Sequence, residues 1–97
     1  MPFVIVHLYA KDSPEAIAST QKALAEAAAV YTQDEGTLAW LPIQDTADKR
    51  AFAVFEKFVS EDALQAHRDH SYRSQFLGNL KDALERPPQQ AVYEKLA

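Results

Sequence analysis

Residues 51–67 read AFAVFEKFVSEDALQAH, and this run decides the fold. Ala51 to Phe58 is β-branched, aromatic and alternating, which predicts a strand with Phe52, Val54, Glu56 and Phe58 on one face. Glu56 is the one ionisable residue on that face. The chain then passes directly into Ser60-Glu61-Asp62, a helix start: a hydroxyl that can accept from the first free N–H groups, then acids where the helix dipole favours them. The helix carries Leu64 and His67 on one stripe.

Working outward, Thr37 to Gln44 reads as the preceding strand, with Leu38 and Trp40 on one face and Ala39, Leu41 and Ile43 on the other. Pro42 places its end at a sheet edge or bulge, and polar residues 45–49 suit an open hairpin into Ala51. Earlier, Asp12-Ser13-Pro14-Glu15 opens a helix. Its alanine-rich body runs to about Thr32, with Ile17, Leu24, Ala28 and Tyr31 on a stripe that Gln21 interrupts. Asp34-Glu35-Gly36 ends it. Phe3 to Tyr9 is the first strand, Phe3, Ile5, His7 and Tyr9 facing one way and Val4, Val6 and Leu8 the other. After His67 the helical pattern resets around Asp69-His70-Ser71. A second helix then carries Phe76, Leu77, Leu80 and Leu84 until Arg86-Pro87-Pro88 stops it. Gln89 to Leu96 completes the order as a last strand.

The order β-α-β-β-α-α-β is an α+β, ferredoxin-like plan with an antiparallel sheet, expected as one domain over residues 1–97. Helices cover one sheet face. The other is apolar too and needs a cover, which two sheets of a homodimer supply by closing into a barrel.

A net charge of −4, with Lys and Arg scattered, argues against a nucleic-acid partner. No apolar run approaches the roughly 18–20 residues of a membrane span, and the start lacks a basic leader segment, so neither membrane nor secretion is expected. Zero cysteines exclude disulfides, thiolate metal sites and cysteine nucleophiles, with the cytoplasm as the default compartment. The two glycines, Gly36 and Gly78, are too far apart for a phosphate loop, and no serine sits in a nucleophile elbow.

Three stretches, in order, carry a family resemblance: Asp34-Glu35-Gly36-Thr37-Leu38-Ala39-Trp40, then Phe52-Ala53-Val54-Phe55-Glu56-Lys57-Phe58, then Ser60-Glu61-Asp62-Ala63-Leu64-Gln65-Ala66-His67 followed by His70 and Phe76. Together they resemble the antibiotic biosynthesis monooxygenase family. The resemblance implies a dimeric α/β barrel with one pocket per subunit between sheet and helices. Relatives oxidise quinols or polycyclic anthrones with dioxygen and without metal or flavin, while others degrade haem. The haem-degrading relatives use an asparagine, a tryptophan and a histidine at positions held here by His7, His67 and Phe76, and Phe76 cannot ligate iron.

Glu56 and His67 are the first candidates for chemistry. A carboxylate among aromatics needs a partner, and a histidine oriented by a carboxylate is a competent base near neutral pH. The same pair equally reads as a structural contact closing helix onto sheet. His7 is either a further acid/base group in the pocket or a satisfied core or interface histidine. Trp40, Tyr72, Phe76, Tyr31 and Phe52 are the expected aromatic walls for a planar substrate, where Phe55 reads as core. His67 and His70, one helical turn apart, with Glu56, have the types of a metal site. The helix ends between them, however, and no metal or other cofactor is expected. Arg68 and Arg73 read as solvated charge or as a contact to an acidic substrate group.

The leading expectation is therefore a cofactor-independent monooxygenase of a small electron-rich aromatic, with His67 as base, Glu56 orienting it, and His7 and Trp40 positioning the ring. The alternatives are an isomerase, cyclase or dehydratase using the same base, and a non-catalytic small-molecule-binding stress-response protein.

Overall fold

The computed structural model describes residues 1–97. Its elements are β1 (Pro2–Tyr9), α1 (Pro14–Tyr31), β2 (Thr37–Gln44), β3 (Ala51–Phe58), α2 (Glu61–Arg68), α3 (Arg73–Leu80) and β4 (Gln89–Glu94). The four strands form one antiparallel sheet in the order β2-β3-β1-β4. This is the ferredoxin-like α+β plan expected from the sequence. No helix is long and apolar enough to cross a membrane.

The helices begin where their caps predict. Ser13 Oγ accepts from the Ala16 N–H, and Ser60 Oγ accepts from the Ala63 N–H, each at 3.1 Å. α1 packs on the sheet through Ala16, Thr20, Ala23, Leu24, Ala27 and Tyr31, all buried. This stripe is rotated from the expected one: Ile17 and Ala28 lie half-buried at its margin. Small residues decide the rotation, because alanines let helix and sheet approach closely, and Thr20 satisfies its hydroxyl on the Ala16 carbonyl at 2.8 Å.

The helix-facing sheet positions are Val4, Val6 and Leu8 of β1 and Phe52, Val54, Glu56 and Phe58 of β3, paired as Val4 with Glu56, Val6 with Val54 and Leu8 with Phe52. On β2 the register shifts between Thr37 and Ala39. This irregularity leaves Leu38 49% exposed while Trp40 is buried, so the two do not share a face as simple alternation predicts. β2 is an edge strand, which tolerates the missing donor of Pro42.

The last helix is shorter than its apolar spacing predicts. α3 ends at Leu80, and Leu84 is buried through a bridge to Ala10, with the Lys11 N–H donating to Ala83 O and the Glu85 N–H to Tyr9 O, each at 2.8 Å. The last strand likewise ends at Glu94 rather than Leu96.

The opposite sheet face carries Phe3, Ile5, Phe55, Leu41, Ile43 and Tyr93, with Leu41, Ile43 and Tyr93 about half exposed. The helix layer also leaves β4 uncovered, and all six of its residues are exposed.

Candidate active site

Between the sheet and the helices lies a cavity of about 180 Å³. Val6, Leu8 and Val54 form its floor. Trp40 and Glu56 are cross-strand partners on β2 and β3, so register alone sets the indole beside the carboxylate. Tyr31, His67 and Phe76 supply aromatic walls from α1, α2 and α3 respectively. The cavity opens past Arg73 and Leu77 toward Pro88 and Gln90 at the uncovered β4 side.

Tyr31 organises the aromatic walls. Its ring centroid lies 4.4 Å from that of His67, 5.2 Å from Trp40 and 6.0 Å from Phe76. Burial raises its phenol to about 12, so the hydroxyl keeps its proton at any working pH. The His67 ring is further packed against Phe58 at 5.1 Å. These contacts fix the imidazole in front of Glu56, with His67 Nε2 3.4 Å from Glu56 Oε1. That separation is longer than the roughly 2.7–3.2 Å of a formed hydrogen bond, so the contact is a loose one.

Burial acts on both members of this pair against charge. It pushes the Glu56 carboxyl up to about 7, although Arg68 and Arg73 pull it down, and it lowers His67 to about 4, with Arg73 adding to the effect. The pair therefore carries no net charge at mildly acidic pH and one negative charge above neutrality. Its Glu56 member is the one whose proton comes and goes near pH 7. Nδ1 of His67 is buried without a partner, and so is the Trp40 Nε1–H.

His70 does not join Glu56 and His67. Its Nδ1 accepts from the Tyr72 N–H at 3.0 Å, which leaves Nε2 to face Asp34 Oδ1 at 3.4 Å. The side chain thus ties the α2–α3 connection to the end of α1. No three His, Asp or Glu side chains are grouped to hold a metal ion.

His7 lies apart from this cavity. It sits on the sheet face that the helices leave bare, is exposed, and borders a separate depression with Tyr9, Arg86 and Gln89. The expectation that it acts in the pocket is corrected by strand alternation itself: Val6 and Leu8 face the helices, so His7 cannot. Of the expected aromatic walls, Trp40, Tyr31 and Phe76 line the cavity. Phe52 does not; it is a core residue nearer the hairpin end of β3. Tyr72 stands behind the wall, stacked on Phe76 at 6.4 Å. Arg73, read from sequence as either solvated or ligand-facing, lines the cavity.

Residues 3–78 match the sequence model of a family described as antibiotic biosynthesis monooxygenase. The chain belongs to that family. No curated protein matches it. Among solved structures, an antibiotic biosynthesis monooxygenase is similar with a TM-score of 0.89 and 20% identity over 100% of both chains. A Mycobacterium tuberculosis protein is similar with a TM-score of 0.88 and 19% identity, over 100% of this chain and 97% of the other. A Nitrosomonas europaea protein of unknown function reaches 29% identity with a TM-score of 0.85, over 99% of this chain and 89% of the other. Antibiotic biosynthesis monooxygenase membership thus fixes the fold. What this member does must come from its own cavity.

Proposed function

We propose that this family member is a cofactor-independent monooxygenase that oxidises an electron-rich aromatic, a quinol or an anthrone, with dioxygen, and that it works as a homodimer. The observation that carries the reading is the Glu56–His67 pair at the wall of a cavity lined mainly by aliphatic and aromatic side chains. A base with a proton affinity matched to neutral pH can remove a phenolic proton, and the resulting phenolate is a far better electron donor than the phenol. The sequence suggested His67 as that base. The site favours Glu56, because His67 is held neutral and its Nδ1 is sealed from solvent. His67 then serves as the positioning residue that holds the carboxylate toward the cavity.

The chemistry balances with the substrate as sole reductant. A quinol and dioxygen give a hydroxyquinone and water: one oxygen atom enters a ring C–H bond, the other leaves as water, and all four electrons come from the substrate and its C–H bond. Glu56 takes the phenolic proton and returns it to the departing oxygen. The apolar walls keep water from the reactive intermediate.

The homodimer reading rests on the bare sheet face. Exposed Leu41 and Ile43 continue a surface of Phe3, Ile5 and Phe55, an apolar face that a second copy would cover.

Oxygen uptake by metal-stripped protein, measured against a panel of quinols and anthrones for wild type and Glu56→Gln, tests the activity. Substrate-dependent uptake above autoxidation that the variant loses supports it. Absence of uptake across the panel, with substrate isomerised or dehydrated instead, moves the same base to proton-transfer chemistry.

A further inference from the structure

At the Tyr9 end of the bare sheet face, a depression of about 310 Å³ is lined by His7, Tyr9, Ala51, Arg86 and Gln89 among others, with no Asp or Glu in its wall. Its shape follows from the strand register. Tyr9 pairs with Ala51 and His7 with Ala53, so methyl groups stand beside the two rings and leave room. Gln89 pairs with His7 from the other side. Arg86 is the cation of this wall, and three constraints hold it in place. The N–H of its neighbour Glu85 donates to Tyr9 O at 2.8 Å. Pro87 follows it and confines the Arg86 backbone to extended conformations. The guanidinium lies over the Tyr9 ring, 4.5 Å from its centroid.

The nearby carboxylates are engaged elsewhere. Asp48 accepts from the Tyr9 hydroxyl at 2.9 Å, and Glu85 faces Arg50 at 3.8 Å. Arg86 joins none of the three ion pairs of the chain, which link Arg50 to Glu85, His67 to Glu56 and His70 to Asp34. The strands of a second copy packed on this face would not supply an anion either. Their residues on the bare face include Lys57 and His7 but no Asp or Glu. A fixed guanidinium without a counter-ion, beside an imidazole and a carboxamide that can both donate, suits an oxyanion. We infer that this depression binds the phosphate or carboxylate group of a small molecule, with Arg86 as a two-pronged donor and His7 and Gln89 donating from the strands. The site is separate from the Glu56–His67 cavity and independent of what that cavity does.

Titration of inorganic phosphate and, separately, acetate into isotope-labelled protein tests this by NMR, with ionic strength held constant by sodium chloride. Constant ionic strength removes the general screening that any charged surface shows. Of the three histidines only the His7 ring should shift, saturably, together with the Gln89 carboxamide and the Arg86 Nε–H. Arg86→Gln should weaken binding about five- to tenfold, the worth of a bidentate contact partly open to water. Arg86→Lys, which keeps the charge and loses the fork, should recover only part of that. Arg86 is exposed, so both variants should keep the wild-type resonances around Glu56 and with them the fold. Whichever anion binds more tightly names the source, phosphorylated molecules or carboxylates, and either supports the site. Shifts that do not saturate, an equal response to chloride, wild-type affinity in Arg86→Gln, or full recovery in Arg86→Lys would each overturn it, whatever the oxygen-uptake result.

Discussion

Nε2 of His67 lies 3.4 Å from Oε1 of Glu56, and the two side chains are only 10% and 5% exposed. One comes from the last turn of α2 and the other from β3. Their meeting makes a titrating unit out of two groups that burial has driven toward neutrality from opposite sides.

That unit should set the pH dependence of turnover. The base form exists once Glu56 has lost its proton, so oxygen uptake should rise with pH, pass half-maximum near 7 and level off above it. Glu56→Gln should lower the plateau by roughly 10²–10⁴-fold, the usual worth of a positioned base. A pH–rate profile between pH 5 and 9 (roughly the span over which such groups act) checks both; a flat wild-type profile would count against Glu56.

Stability should respond differently. The raised Glu56 carboxyl contributes stability that is fully present below its ordinary 4.5 and is lost as pH rises through about 7. The lowered His67 contributes stability present above its ordinary 6.5 and lost as pH falls through about 4. Across the shared window the two slopes oppose, so the pair leaves wild-type stability nearly level. Glu56→Gln keeps only the histidine slope and should gain on wild type as pH rises, by of order 2 kcal/mol at neutrality. Urea unfolding at several pH values reads this directly, and parallel curves for the two proteins would refute it.

Gly36 should tolerate no side chain. A Cβ there would lie 2.5 Å from the Ala63 Cβ on α2, so the helix carrying His67 would have to move. Gly36→Ala should cost about 1–3 kcal/mol, the range for overpacking. It should also reduce turnover beyond the stability loss, because the Glu56 contact depends on where α2 sits. Thermal unfolding together with oxygen uptake distinguishes the two effects. Gly36→Ala combined with Ala63→Gly should restore both.

The bare sheet face gives a fourth expectation. Phe55 lies near the middle of the face turned away from the helices, opposite Leu41 and Ile5 in the register. Phe55→Glu puts a charge where the second sheet would pack and should convert dimer to monomer in light scattering after size exclusion. An unchanged mass would direct the interface elsewhere.

Much of this was legible in the chain. Ser13 and Ser60 announced their helices because a capping hydroxyl is a local device whose partner is three residues away. The strand order followed because each apolar run was bounded by turn residues. The end of α3 was not legible: Leu84 keeps helical spacing from Leu77 and Leu80, yet its burial comes from a bridge to Ala10, a contact far away in sequence.

By itself the sequence determined the elements, their order and, outside the shift in β2, which residues share a strand face, because periodicity and capping act within a few residues. It could not determine which face the helices would cover, since both faces of β1 are apolar. Choosing Val4, Val6 and Leu8 for the core excluded His7 from the cavity, and that choice belongs to packing. The local shift in β2 parted Leu38 from Trp40, and the register with β3 set Trp40 beside Glu56. Only the docking of α2 and α3 on the sheet brought His67 and Arg73 to that carboxylate's cavity, because their positions depend on contacts between segments that no local pattern connects.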